Sequence, residues 1–352
     1  MTQARKTIAL NFYTPSALTA LASAAAGLVA GSGAVGTSWR DFGTGPNWGA
    51  DLSAVSWCTD TLHYDSIRKQ VHVGGGWVSK EQKHHHIYDE ATNLWGPNTL
   101  ASQYPTNTIS GHFWDTTFAP EWGEYFFGAS DQPIYRYNPS SGLWTTIDFG
   151  QRSGNGIGWH PNMFGPGDGG LVCNSDNNLK VWQRRTGQIF TLQTYSVANA
   201  YNGGSGAYNP VTGKLWIGTG NIDRCWSIAT GSGGTTPGTS TLLPVPPVKV
   251  IGADDGGGGT FGKVIMHPYT AGKLLCLTYN GGATGTVYES TSDGASWSTA
   301  AYTHPFNRSN GIHPGWWSPG SIPRDAGGNY GVIWSIRSLA GTFQSVLWKP
   351  PA

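Results

Sequence analysis

A two-part phrase runs through this chain six times, and no other feature limits its fold as strongly. The first half is an aromatic-ended segment, a polar turn and an apolar run. Its copies are LHYDSIRKQVHVGGG (62–76), FWDTTFAPEWGEYFFGAS (113–130), GWHPNMFGPGDGGLVCNS (158–175), AYNPVTGKLWIGTG (207–220), IMHPYTAGKLLCLTYNG (265–281) and WWSPGSIPRDAGGNYGVIWSIR (316–337). The second half is an apolar pair, a polar turn and usually an aromatic: HIYDEATNLW, PIYRYNPSSGLW, LKVWQRRTGQIF, RCWSIATGSGG, TVYESTSDGASW and QSVLWKPP. The halves alternate strictly. Short apolar runs bounded by turn residues read as strands. Asn138-Pro139, His160-Pro161, Asn209-Pro210 and His267-Pro268 fall in the turns, where the missing proline donor costs nothing.

The anchors Val71, Tyr125, Leu171, Leu215, Leu274 and Val332 stand 44 to 59 residues apart. That spacing matches one blade of a β-propeller, a four-stranded antiparallel sheet repeated around a central channel. Composition agrees. Charged residues make up 12%, and glycine counts 52 and tryptophan 17 in 352 residues; a helical protein of this length needs more Glu and Lys. The expected fold is all-β, a six-bladed propeller over residues 37–352, preceded by an N-terminal arm (1–36) with a short Ala-rich helix. The last copy stops at SVLWKPPA, one strand short of a blade. TTIDFG follows Trp144, and TSWRDFG (37–43) repeats that ending near the N-terminus. Residues 37–43 are therefore predicted to supply the missing outer strand and close the ring, which removes exposed sheet edges.

Net charge is +1, so no strong field selects nucleic acid or an anionic membrane. No segment is long and apolar enough to be expected to span a bilayer. The cysteines at 58, 173, 225 and 276 form no CxxC pair; they read as reduced apolar residues of a reducing compartment. The run ALTALASAAAGLVAG (17–31) has the flavour of a secretory signal, but Ser and Gly interrupt it and Thr14-Pro15-Ser16 precedes it, so a docking arm is the expectation.

Several resemblances follow from these motifs. IYDEATNLW and IYRYNPSSGLW are similar to the end of a kelch repeat. ESTSDGASW (289–297) resembles the Asp box of sialidase-type propellers, with Ser290, Gly294, Ser296 and Trp297 in place and Ser292 where that box has Asp. The sialidase likeness does not reach the active site: Ser321-Ile322-Pro323-Arg324 lies late and in the wrong order, and no arginine triad is evident. TPSALTALASAAAGLVAGSGAVGTSW (14–39) resembles the leading segment of some bacteriophage virion proteins.

Candidate chemistry concentrates in loops. The loops entering each first strand, and those joining second to third strands, are expected to form the functional face. They hold Asp131, Asp176, Asp223, Arg224, Asp254, Asp255 and Trp316, the expected ligand-binding set. No catalytic residue, metal or cofactor is assigned. Lys83-His84-His85-His86 is not expected to bind metal, because adjacent strand residues face opposite ways. ADDGGGGTFG (253–262) lacks the helix a phosphate loop needs. A glycosidase requires two carboxylates at a set separation, and none of these acids declares itself as such a pair. Tyr64, Trp114, Trp159, Tyr208, Trp316 and Trp317, at the ends of first strands, are expected to pack between blades, although such rings can also stack on sugars.

The resulting expectation is a non-enzymatic virion structural or adhesion protein, a phage tail, fibre or capsid-attached propeller. It would dock on other virion proteins through residues 1–36 and meet a host-surface glycan. The alternative is a glycan-binding or glycan-degrading propeller.

Overall fold

A computed structural model describes residues 38–39, 62–75, 84–89, 94–95, 113–129, 133–150, 153–175, 177–195, 204–219, 224–250, 261–279, 285–304, 320–322, 331–339 and 342–352. The first strand is β1 (Ser38–Trp39). The next four are β2 (His63–Asp65), β3 (Gln70–Gly75), β4 (His84–Asp89) and β5 (Leu94–Trp95). They are followed by β6 (Phe113–Ala119), β7 (Glu124–Ala129), β8 (Ile134–Asn138) and β9 (Leu143–Ile147), then by β10 (Ser153–His160), β11 (Gly170–Ser175), β12 (Asn178–Gln183) and β13 (Ile189–Thr194). A further set comprises β14 (Gly204–Asn209), β15 (Lys214–Thr219), β16 (Arg224–Ile228) and β17 (Ser240–Leu243). The chain continues through β18 (Lys249–Val250), β19 (Phe261–Met266), β20 (Leu274–Tyr279), β21 (Gly285–Ser290) and β22 (Ser298–His304), and finishes with β23 (Gly320–Ile322), β24 (Val332–Leu339) and β25 (Thr342–Trp348).

Each repeat of the phrase builds one sheet around an antiparallel core. The first half supplies its first two antiparallel strands and the second half its third, with the fourth following in all but the last sheet. In IYDEATNLW, Tyr88 sits opposite Trp95; in IYRYNPSSGLW, Tyr137 sits opposite Trp144. The innermost strands β2, β6, β10, β14, β19 and β23 contact one another in that order, and β23 returns to β2. The architecture is an all-β propeller.

Uniformity of the blades needs correction. Five sheets have the four-stranded form, not six; the other has five strands, because β18 adds parallel to the inner edge of β19, with Lys249 opposite Phe261. The sheet that ends the chain takes its outer strand from near the start: β1 pairs antiparallel with β25, Ser38 opposite Leu347 and Trp39 opposite Val346. The rest of 37–43, and the whole arm 1–36, lie outside the described residues.

The core lies between sheets. Along β11, Leu171 and Cys173 join a cluster with Trp159 of the same sheet and with Phe126 and Ile134 of the sheet before it, while Val172 joins Leu215, Ile217 and Trp226 of the sheet after it. The period of two thus feeds two cores at once, and every residue of β11 is buried. The same division holds on β20, where Leu275 and Leu277 face one cluster and Leu274 and Cys276 the other. Cys173, Cys225 and Cys276 are buried thiols, and burial pushes the Cys276 thiol well above its usual range. The start of β4 is formed by His84, His85 and His86, and among the described residues no group of three or more metal-binding side chains occurs. No helix among them is long and apolar enough to cross a membrane.

Candidate functional site

The turns after four of the innermost strands, β2, β10, β14 and β19, follow one local rule. A side chain with a hydrogen-bond acceptor ends the strand and takes the backbone amides of the turn, as Asx turns do. Asp65 Oδ1 accepts from Ile67 and Arg68 (2.9 and 3.0 Å). His160 Nδ1 accepts from Asn162 (3.1 Å) and Asn209 Oδ1 from Val211 (3.0 Å). His267 Nδ1 accepts from Thr270 (3.0 Å) and from Tyr269 (3.4 Å). Pro161, Pro210 and Pro268 follow directly, with φ preset for the turn. These turns all lie at the same end of the ring.

They surround a cavity of about 790 Å³, within the range of small-molecule sites. Its wall comes from the ends of the six innermost strands and the turns just after them: His63 and Tyr64, Thr117 and Phe118, Trp159, Ala207 and Tyr208, Ile265 and Met266, and Ser321. Glu121, His267 and Tyr269 complete the polar rim.

The polar groups are held in defined states. His63 Nε2 lies 2.8 Å from Thr116 Oγ1. Burial holds its imidazole down to about 3, with the Lys263 charge acting in the same direction against a stabilising Thr116 backbone contact. His267 is lowered mainly by burial. With Nδ1 accepting turn amides, its Nε2–H donates to the Pro351 carbonyl (2.9 Å), so the neutral tautomer is fixed. The Tyr269 hydroxyl donates to the Pro350 carbonyl. Glu121 accepts from the Trp159 indole N–H at 3.0 Å. Burial raises its carboxyl, opposed by its own amide, by Trp159 and by the Arg184 charge. Tyr208 has its hydroxyl raised by burial and, further, by the Glu121 charge, so Glu121, Trp159 and Tyr208 share one corner of the cavity.

The wall is backed by stacked rings. Phe118 stacks on Tyr125 at 4.5 Å, Trp159 on Phe126 at 5.6 Å, and Tyr208 tilts against His160 at 5.1 Å. These contacts fix ring orientation before any ligand arrives.

Sequence reasoning looked to other loops than the turns that line this cavity. Of its expected set, Asp131, Asp176, Asp223, Asp254, Asp255 and Trp316 lie outside the described residues. Arg224 is described, at the start of β16 opposite Thr219, with its guanidinium 5.1 Å from the Tyr195 ring centre. It lies away from the cavity wall. Tyr64, Trp159 and Tyr208, expected to pack between blades with sugar stacking as the alternative, line the cavity. Glu121 was missed. The signal for it lies in the turn alignment: the residue after the turn proline is Asn162, Val211 or Tyr269 elsewhere, and an acid only at Glu121.

The chain matches no family model, and no curated protein matches it. Among solved structures, it is similar to an auxiliary nutrient-binding protein from Bacteroides thetaiotaomicron, with TM-score 0.51 and 14% identity over 83% of this chain and 68% of that one. It is also similar to a candidate gluconolactonase, with TM-score 0.48 and 12% identity over 92% of this chain and 97% of that one. The first likeness shows the propeller fold and nothing finer. No comparison shows kelch repeats, Asp-box repeats or a phage-type arm, and none supports a virion role.

Proposed function

We propose that this propeller is a binding protein that holds a small saccharide in its central cavity. One observation carries the reading: the innermost strands converge on a 790 Å³ cavity whose wall combines aromatic side chains with a few fixed polar groups, the composition of ligand sites generally. Sugar rings present apolar faces to aromatics and hydroxyls to polar groups. Binding is favoured over hydrolysis because Glu121 is the single carboxylate of the wall among the described residues, whereas hydrolysis needs a pair. The arm 1–36, expected to dock on virion proteins, lies outside the described residues.

A glycan array followed by calorimetry tests this reading. A defined saccharide should bind the protein, and Tyr208→Ala should weaken it about tenfold, roughly 1.4 kcal/mol, with no reducing ends released. If no saccharide binds at millimolar concentration, or if Tyr208→Ala binds unchanged, the cavity is not a saccharide site.

A further inference from the structure

The electrostatics of the cavity select among saccharides. Glu121 carries the one formal charge on the wall, since His63 and His267 are neutral and neither Lys nor Arg lines it among the described residues. The nearest cations stand behind the wall and not on it. Arg184 donates to both oxygens of Glu124 and lies over the Trp122 ring at 3.6 Å. Lys263 is buried within β19 and absent from the wall.

Two donors on the rim are also committed. His267 Nε2–H is spent on Pro351 and the Tyr269 hydroxyl on Pro350. Glu121, by contrast, is acceptor-only with about four lone-pair sites, and the Trp159 indole occupies one of them. Beside it stands the Tyr208 ring, whose π face attracts cations. An anionic sugar set against Glu121 is repelled by its charge. A neutral sugar offers hydroxyls to Glu121. A primary ammonium offers up to three donors and a compensating charge.

We propose that Glu121 is the specificity determinant of this cavity and that it selects amino-bearing, cationic saccharides, with the ammonium on Glu121 and the sugar ring against Tyr208. This rests on the saccharide reading above. Because Glu121 is itself exposed at the rim, water screens the pair and the expected preference is modest, about five- to tenfold.

The test is calorimetry near pH 6, where a primary amine is protonated, on the full chain and on Glu121→Gln. The probes are a glucosamine tetramer, its N-acetylated counterpart and a neutral glucose tetramer. The wild-type protein should bind the glucosamine tetramer five- to tenfold more tightly than the other two, and added salt should shrink that ratio. In Glu121→Gln the ratio should fall to about one, with circular dichroism unchanged. Equal binding of all three by the wild type overturns the charge selectivity while leaving a saccharide site. A preference that survives in Glu121→Gln overturns the assignment to Glu121. If none of the three binds, the underlying saccharide reading is what fails.

Discussion

Replacing Glu124 should loosen the joint between two adjacent sheets. The carboxylate, 1% exposed, accepts four N–H groups: Nε and Nη2 of Arg136 at 3.0 and 2.5 Å, and Nε and Nη2 of Arg184 at 3.1 and 2.9 Å. Arg136 is on the next strand of the same sheet, and Arg184 leaves β12 of the neighbouring one. Removing one partner of a buried ion pair costs about 3–5 kcal/mol. Both arginine side chains are about a quarter exposed (25% and 23%), so water recovers part of this, and Glu124→Ala should cost about 3 kcal/mol. At roughly 2.1 cal/mol/K per residue, that lowers Tm by about 4 °C. The effect should depend on pH. Burial pushes the Glu124 carboxyl up, but the hydrogen bonds and charges of Arg184 and Arg136 outweigh it and leave it below its ordinary value. Because the folded value is below the unfolded one, the stabilisation is complete above the unfolded value and is lost as pH falls through the folded one. Urea unfolding of wild type, Glu124→Ala and Glu124→Gln at pH 7 and at acid pH measures both quantities. A cost under about 1 kcal/mol at pH 7, or one that does not shrink in acid, refutes the reasoning.

Other perturbations test the ring and its interior. At Gly206, an added Cβ would sit 2.6 Å from the Ile157 carbonyl oxygen and 2.8 Å from Gly158 Cα; both are backbone, so Gly206→Ala should cost about 2 kcal/mol in chemical unfolding, and a neutral result would show that β10 and β14 can separate freely. His304 is buried, its Nε2–H donates to the Thr278 carbonyl at 2.7 Å, and burial holds it down to about 4 from 6.5. The unfolded chain therefore takes up this proton first, so the stability it confers is full above 6.5, falls below it and levels off below about 4; His304→Gln should flatten that part of the pH–stability curve. Deleting residues 1–43 removes β1 from the edge of β25 and should produce self-association in size-exclusion chromatography; a monomer with unchanged melting would show that closure adds nothing.

Strand order and blade content were legible in the residues because period-two patterning and turn chemistry are local. Tyr88 and Trp95, or Tyr137 and Trp144, advertise a hairpin within a few residues of each other. The echo between TTIDFG and TSWRDFG pointed to Ser38–Trp39 as a partner for β25 without any coordinates. The extra strand β18 was not legible: Lys249–Val250 is only two residues long and lacks a repeat partner.

The candidate site divides the same way. The sequence by itself determined that aromatics end the innermost strands and that Asp65, His160, Asn209 and His267 shape the turns after them, because each such preference is set within about five residues of chain. Only the tertiary structure decided that the turns after these strands enclose a cavity, and that Glu121, Trp159 and Tyr208 meet there. Their meeting depends on the mutual placement of three separate sheets. That placement is fixed by clusters such as Phe126 with Trp159 and Val172 with Trp226, contacts between blades that no local pattern encodes.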